Sequence, residues 1–184
     1  MNILIGSGFA ETISQDIASN RNNYGNNFET IKKTKSKIFF EELRKQKINF
    51  PRISKKQKKN GKWLVKEYQS FGGIKVKLFK QSHNINKKEY LQKFIDGDSV
   101  SVQFFVENNN IKILAICDQI ITYSEIGSFL LKSIITKKIQ NKVLKSIYNL
   151  VKKISKIFLL KGINNLDLII QGKKVFLLEV NPRP

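Results

Sequence analysis

The segment 136–160 limits the fold more than any other stretch of the chain. Ile139, Val143, Ile147, Leu150, Val151, Ile154 and Ile157 recur at helical spacing along one face, and seven lysines fill the other sides. A helix of that length with a single apolar face has to be covered by another layer. The chain offers strands on both sides of it. Upstream, the turn Asp96-Gly97-Asp98 leads into an alternating strand at 99–106, Asn108-Asn109-Asn110 reverses the chain, and 111–119 returns as the other arm of a hairpin. Downstream, strands at 166–170 and 175–181 flank the turn Gln171-Gly172-Lys173-Lys174. Hairpin, long helix and hairpin in that order give an α+β layer.

The first half reads as a second, smaller layer. Residues 28–47 carry Phe28, Ile31, Lys35, Ile38 or Phe39, Glu42 or Leu43, and Gln46 at helical spacing, with Ile38, Phe39 and Leu43 expected to face a core. Pro51 ends that helix, and a solvated basic run follows at 55–62. Strands are expected at 62–67, at 74–79 with strict alternation, and at 90–95, with Tyr68-Gln69-Ser70-Phe71-Gly72-Gly73 as a loop between the first two. Residues 2–8, Asn-Ile-Leu-Ile-Gly-Ser-Gly, look like one strand running into a glycine turn, and 20–27 is a polar loop. The result is a two-lobed α+β chain with no internal repeat.

Composition excludes several functions. One cysteine, Cys117, rules out a disulfide framework or a cysteine zinc cluster, and one histidine, His83, argues against a His-rich metal site or a Ser-His-Asp triad. Cys117 lies in an apolar strand and reads as a small core residue, and His83 as solvated. No apolar run reaches membrane-spanning length and no signal peptide opens the chain, so a soluble, cytoplasmic protein with no membrane partner is expected. The net charge of +20 suggests a polyanion. However, lysine, isoleucine and asparagine, all with A/T-rich codons, are in large excess, while arginine, the residue for bidentate contacts, occurs only four times. At most non-specific nucleic-acid binding is expected. Nothing in the sequence fixes an oligomeric state.

The last hairpin places acids where a sheet would not put them for stability. If Gln171 pairs with Val175 across a three-residue loop, Asp167 lies opposite Glu179, and Asn181 shares their face. Facing carboxylates repel unless a cation lies between them. Two carboxylates and an amide oxygen are hard ligands suited to Mg²⁺, with room left for phosphate and water. A different register would leave the acids merely solvated.

The sequence around that pair resembles the ATP-grasp superfamily. Leu178-Glu179-Val180-Asn181-Pro182-Arg183 is similar to its terminal Glu-apolar-Asn-Pro-Arg motif, and Gly162-Ile163-Asn164-Asn165-Leu166-Asp167 to the approach to its first metal-binding acid. Trp63-Leu64-Val65-Lys66 resembles the strand whose lysine holds the α- and β-phosphates, Phe71-Gly72-Gly73 the loop that closes over the triphosphate, and Gln92-Lys93-Phe94-Ile95 the adenine hinge. Lys35 matches the first nucleotide lysine, with Lys37 as the alternative. Among ATP-grasp proteins the chain looks most like the carboligases related to biotin carboxylase, which also carry a Gly-Ser-Gly-Phe segment and a Tyr-Gly-Asn turn, here Tyr24-Gly25-Asn26. It departs from the family pattern in having only two loop glycines and in carrying Gln92 where an acid is usual. Asp98 or Ser99 is left to contact the ribose.

The resemblance implies residues 27–97 as a first lobe, 98–184 as a second, and 1–26 as the remnant of an upstream α/β domain, with further chain at both ends. It implies an ATP- and Mg²⁺-dependent ligase that joins a small-molecule carboxylate to an amine or similar nucleophile through an acyl-phosphate. Asp167, Glu179 and Asn181 would hold the metal. Lys35, Lys66, Gly72 and Gly73 would hold the phosphates, and Gln92, Lys93, Phe94 and Ile95 the base. Arg183 would stabilise the acyl-phosphate or its oxyanion, and Gln119 is a further candidate for the same cleft. A lysine-rich nucleic-acid-binding protein and a nucleotide-binding but inactive fragment are the alternatives.

Overall fold

The computed structural model describes residues 24–56, 61–68, 75–123 and 129–183. Two helices come first, α1 (Phe28–Thr34) and α2 (Lys37–Lys45), followed by β1 (Ile53–Ser54), β2 (Trp63–Glu67), β3 (Lys77–Leu78) and β4 (Glu89–Lys93). Next are β5 (Asp98–Glu107), β6 (Asn110–Tyr123), β7 (Phe129–Thr136), α3 (Asn141–Phe158), β8 (Gly162–Gln171) and β9 (Lys174–Pro182). The strands form two antiparallel sheets, β1-β4-β2-β3 and β7-β6-β5-β8-β9. This is the two-lobed α+β arrangement expected from the order of segments. No helix among the described residues is long and apolar enough to cross a membrane.

The second sheet divides its residues by parity. Val100, Val102, Phe104 and Val106 of β5 and Leu166, Leu168 and Ile170 of β8 point to one side, where Val143, Ile147, Val151, Ile154 and Phe158 of α3 pack on them. Ser99, Ser101 and Gln103, with Ile163, Asn165, Asp167 and Ile169, point to the other side and line a cleft against the first sheet. In the first sheet Trp63, Val65 and Leu91 form a small core on the far side. Leu64, Lys66, Tyr90 and Gln92 face the cleft. Gly97 carries the chain from one sheet to the other. A Cβ there would lie 2.5 Å from the Ile170 carbonyl oxygen, so only glycine passes without displacing β8.

Three elements differ from their sequence reading. The helix expected over 28–47 is broken at Lys35 and Ser36 into α1 and α2. Because of this break Phe40 is buried with Phe39 and Leu43, while Ile38 is 46% exposed. An unforeseen strand, β7, forms the edge of the second sheet. Its residues Phe-Leu-Leu-Lys-Ser-Ile-Ile-Thr have strand length but no alternation to mark a buried face. The last turn has two residues, with Gln171 opposite Lys174 and Gly172 at a φ of 59°.

That tighter turn alone would shift the register by one and bring Glu179 onto the helix side. A bulge at Leu178 cancels the shift. Leu168 pairs with Leu177, but Asp167 pairs with Glu179, so Leu177 and Val180 are both fully buried beneath α3 while Glu179 and Asn181 turn to the cleft. The facing acids expected from the sequence are present, through a different turn and an extra residue.

Candidate functional site: a cleft between two sheets

The cleft encloses about 760 Å³. Its floor is the cleft face of β8 and β9. Both oxygens of Asp167 are held by amides: Gln119 Nε2 donates to Oδ1 at 2.9 Å, Asn165 Nδ2 to Oδ1 at 3.0 Å, and Asn181 Nδ2 to Oδ2 at 2.8 Å. Ser99 orients Gln119, its hydroxyl donating to Oε1 at 2.9 Å, and Ser101 does the same for Asn165 at 2.7 Å. Burial, then the facing Glu179 charge, raises the Asp167 carboxyl to about 6, with Lys35, Asn165 and Gln119 pulling the other way.

Lys35 reaches this floor from the break between α1 and α2. Asn27 caps α1 by accepting from the Thr30 backbone N–H at 2.9 Å, and the helix ends about two turns on at the Lys35 C-cap. The Lys35 ammonium, 6% exposed, pairs with Glu179 and donates to Asn181 Oδ1 at 2.7 Å. Lys66 enters from β2. Burial holds its ammonium below the usual lysine range, Glu179 and Asp167 oppose that, and Lys35 adds to it.

Most residues singled out from the sequence meet here. Lys35, Lys66, Gln92, Lys93, Phe94, Ile95, Asp167, Glu179, Asn181 and Arg183 all line the cleft, as do Ser99 and Gln119. The alternatives Lys37 and Asp98 lie elsewhere: Lys37 pairs with Glu41 on the surface, and Asp98 with Lys137. Gly72 and Gly73 fall outside the described residues. Two minor readings change. Cys117 is half-buried and lines the cleft instead of the core, because β6 turns that face toward it. His83 is not simply solvated, since its Nε2 lies 3.2 Å from Glu89 Oε2.

The donor set suits a hard cation. Glu179 Oε1 and Asn181 Oδ1 already converge on one positive group, the Lys35 ammonium, with the Asp167 carboxylate alongside. With two carboxylates and one amide, the set relies on other oxygens, such as phosphate and water, to complete a shell. Among the described residues no cluster of three or more His, Cys, Asp or Glu is built to hold a metal unaided.

Asn26 is the site-supporting residue that the sequence reading left without a role. Its side chain, 1% exposed, donates to the carbonyls of Lys161 (2.9 Å) and Arg183 (2.8 Å) and to Asn164 Oδ1 (2.9 Å). Its Oδ1 accepts from the Lys161 N–H at 3.0 Å. Asn26 thereby ties the entry to α1 to the open end of the strand pair that carries the acids, where β8 begins and β9 finishes. The Tyr-Gly-Asn turn was the one signal in the sequence that pointed to it.

Several solved structures share this architecture. A protein assigned to the ATP-grasp superfamily from Archaeoglobus fulgidus is 17% identical with a TM-score of 0.71, over 95% of this chain and 54% of that one. L-amino acid ligase from Bacillus licheniformis is 16% identical with a TM-score of 0.71, over 92% and 45%. D-alanine–D-alanine ligase from Bacillus anthracis in complex with ATP is 13% identical with a TM-score of 0.62, over 86% and 59%. The chain thus spans about half the length of these proteins. No curated protein matches the sequence. The model of the ATP-grasp domain matches residues 33–184, which include every described residue that lines the cleft, and the chain belongs to the ATP-grasp family.

Proposed function

We propose that the chain is the nucleotide-binding unit of an ATP- and Mg²⁺-dependent ligase that joins a carboxylate to an amine or similar nucleophile. The observation that carries this reading is the charge pattern of the cleft: Glu179, Asn181 and Asp167 side by side on one sheet, with Lys35 and Lys66 converging on them. Carboxylates beside lysines suit a polyphosphate that arrives with a divalent metal. Glu179 and Asn181, with Asp167, would hold Mg²⁺, which supplies charge neutralisation on the phosphate oxygens.

The remaining roles belong to the chain's own residues. Lys35 and Lys66 act as point charges on the phosphates. Gln92, Lys93, Phe94 and Ile95 receive the base, and Ser99, not Asp98, faces the ribose. An oxygen of the substrate carboxylate attacks the γ-phosphorus, the bond to the bridging oxygen breaks, and ADP leaves. The nucleophile then adds to the acyl carbonyl, Arg183 stabilises the oxyanion, and phosphate departs. The ATP complex of the Bacillus anthracis ligase and the amino acid ligase of the same fold favour this reading over a nucleic-acid-binding protein.

Thermal melts test it. At a hundredfold excess over its dissociation constant, Mg-ATP should stabilise the fold by about 2.7 kcal/mol. A folded chain whose melt does not move at millimolar Mg-ATP would contradict the proposal.

A further inference from the structure

Lys35 occupies the position at which the acid pair would hold its metal. Its ammonium lies on Glu179 Oε1 and Asn181 Oδ1, the two oxygens that turn away from the Asp167 amide network. The contact is not a helix-stabilising one. Lys35 is the α1 C-cap through its backbone N–H, which donates to the Ile31 carbonyl at 3.2 Å, so the side chain can leave without disturbing the helix. The charges of the floor also balance, with Lys35 and Lys66 opposing Asp167 and Glu179. A divalent ion added alone would leave an excess of positive charge in a largely desolvated space, whereas one added with a polyphosphate would not.

We propose, on the basis of the ATP-ligase reading, that Lys35 is a built-in counter-cation that keeps the metal position closed. A nucleotide opens it by drawing the ammonium onto its phosphates. Divalent-metal binding is therefore conditional on nucleotide, and metal-free nucleotide binds first or together with the ion. Lys35 then has two alternative partners, carboxylate in the resting protein and phosphate in the loaded one.

The experiment titrates the full chain with Mn²⁺ alone, followed by electron paramagnetic resonance of the free ion, and separately with ATP in EDTA, followed by calorimetry. The wild type should show no saturable Mn²⁺ site in the millimolar range. Lys35→Met should open one, tightening Mn²⁺ binding by about tenfold or more, and should weaken metal-free ATP by a similar factor. Lys35→Arg should stay closed. Glu179→Gln placed on Lys35→Met should abolish the new site. Lys35→Gln, which keeps a hydrogen bond to Glu179 without the charge, gives the same reading if Lys35→Met does not fold. Wild-type Mn²⁺ binding as tight as in either neutral variant would overturn the proposal, as would neutral variants that gain no site. If ATP binds nowhere, the ligase reading fails, while the Mn²⁺ arm still decides the role of Lys35.

Discussion

Replacing Asn26 with alanine isolates what holds the acid-bearing strands to the rest of the fold. Of the four hydrogen bonds its side chain makes with Lys161, Asn164 and Arg183, two have a substitute on the partner side. The Lys161 carbonyl keeps Asn164 Nδ2 at 3.0 Å, and the Arg183 carbonyl keeps the Asn26 backbone N–H at 2.8 Å. The other two do not. Asn164 Oδ1, on a fully buried residue, loses its donor, and the Lys161 N–H loses its acceptor. A buried polar atom left without a partner costs about 1–3 kcal/mol, less where water can enter, as at the exposed Lys161. The sum is about 2–3 kcal/mol, or a fall in Tm of roughly 5–10 °C for a domain of this size. Asn26→Asp sharpens the test, since it keeps the acceptor for Lys161 but puts a carboxylate against three oxygens, and it should be at least as damaging. Denaturant melts of both variants provide the measurement. A loss under about 1 kcal/mol for Asn26→Ala, or a tolerated Asn26→Asp, would refute the reasoning.

Further outcomes follow from the floor of the cleft. Glu179→Gln should lower the stability of the ligand-free protein by about 1 kcal/mol in urea melts, because Lys35 loses its charged partner and that loss outweighs the relief of Asp167. Facing acids considered without Lys35 would have given no change or a gain. With the Asp167 carboxyl raised to about 6, the folded chain binds more protons than the unfolded one between about pH 4 and 6. Its contribution to stability should therefore fall as pH rises through that window and level off above it. The slope should be shallower but still present in Glu179→Gln across pH 4.5–7, since burial, the larger cause of the raised Asp167 value, remains when the Glu179 repulsion is removed. Deleting Leu178 should leave a chain that folds, because without the extra residue Leu177, Glu179, Val180 and Asn181 alternate regularly and Glu179 still lies opposite Asp167. Circular dichroism should show a cooperative thermal transition for this deletion as for Leu178→Ala, and loss of that transition in the deletion would refute the bulge assignment.

The sequence was informative where periodicity carries the signal. Alternation over 99–106 and the helical spacing of 136–160 define a strand with one buried face and the helix that covers it, but not the pairing of β5 with β8, which sets their polar faces side by side. The Glu179-x-Asn181 pair and Asp167 were readable because residues two apart on a strand share a face. What was hidden depends on single residues whose effect is three-dimensional. The Leu178 bulge has no marker of its own, since leucine fits either face until the packing of Leu177 and Val180 is known. The α1–α2 break was hidden because Lys35 and Ser36 fit a continuous helical pattern. Asn26 could not be weighed because Lys161, Asn164 and Arg183, which its side chain bonds, lie more than 130 residues away.

The same contrast separates the lysines that have chemistry from those that reflect composition. With thirty lysines in the chain, composition could not single out two; resemblance to the family's motifs pointed to Lys35 and Lys66 and left Lys37 as the alternative to Lys35. Burial distinguishes them. Lys35 is 6% exposed and burial disfavours the Lys66 ammonium, whereas Lys37 is 74% exposed and pairs with Glu41 on the surface. Taking a lysine out of water is unfavourable unless an acid repays it, so compositional drift fills the surface with lysine but does not place one inside. Lys35 and Lys66 sit where Glu179 and Asp167 make their burial tolerable, and the two acids need them in turn. Four charges that would each destabilise the fold alone hold one another in place. A triphosphate and its metal bring the same two signs of charge and can exchange partners with this set without leaving any group unpaired.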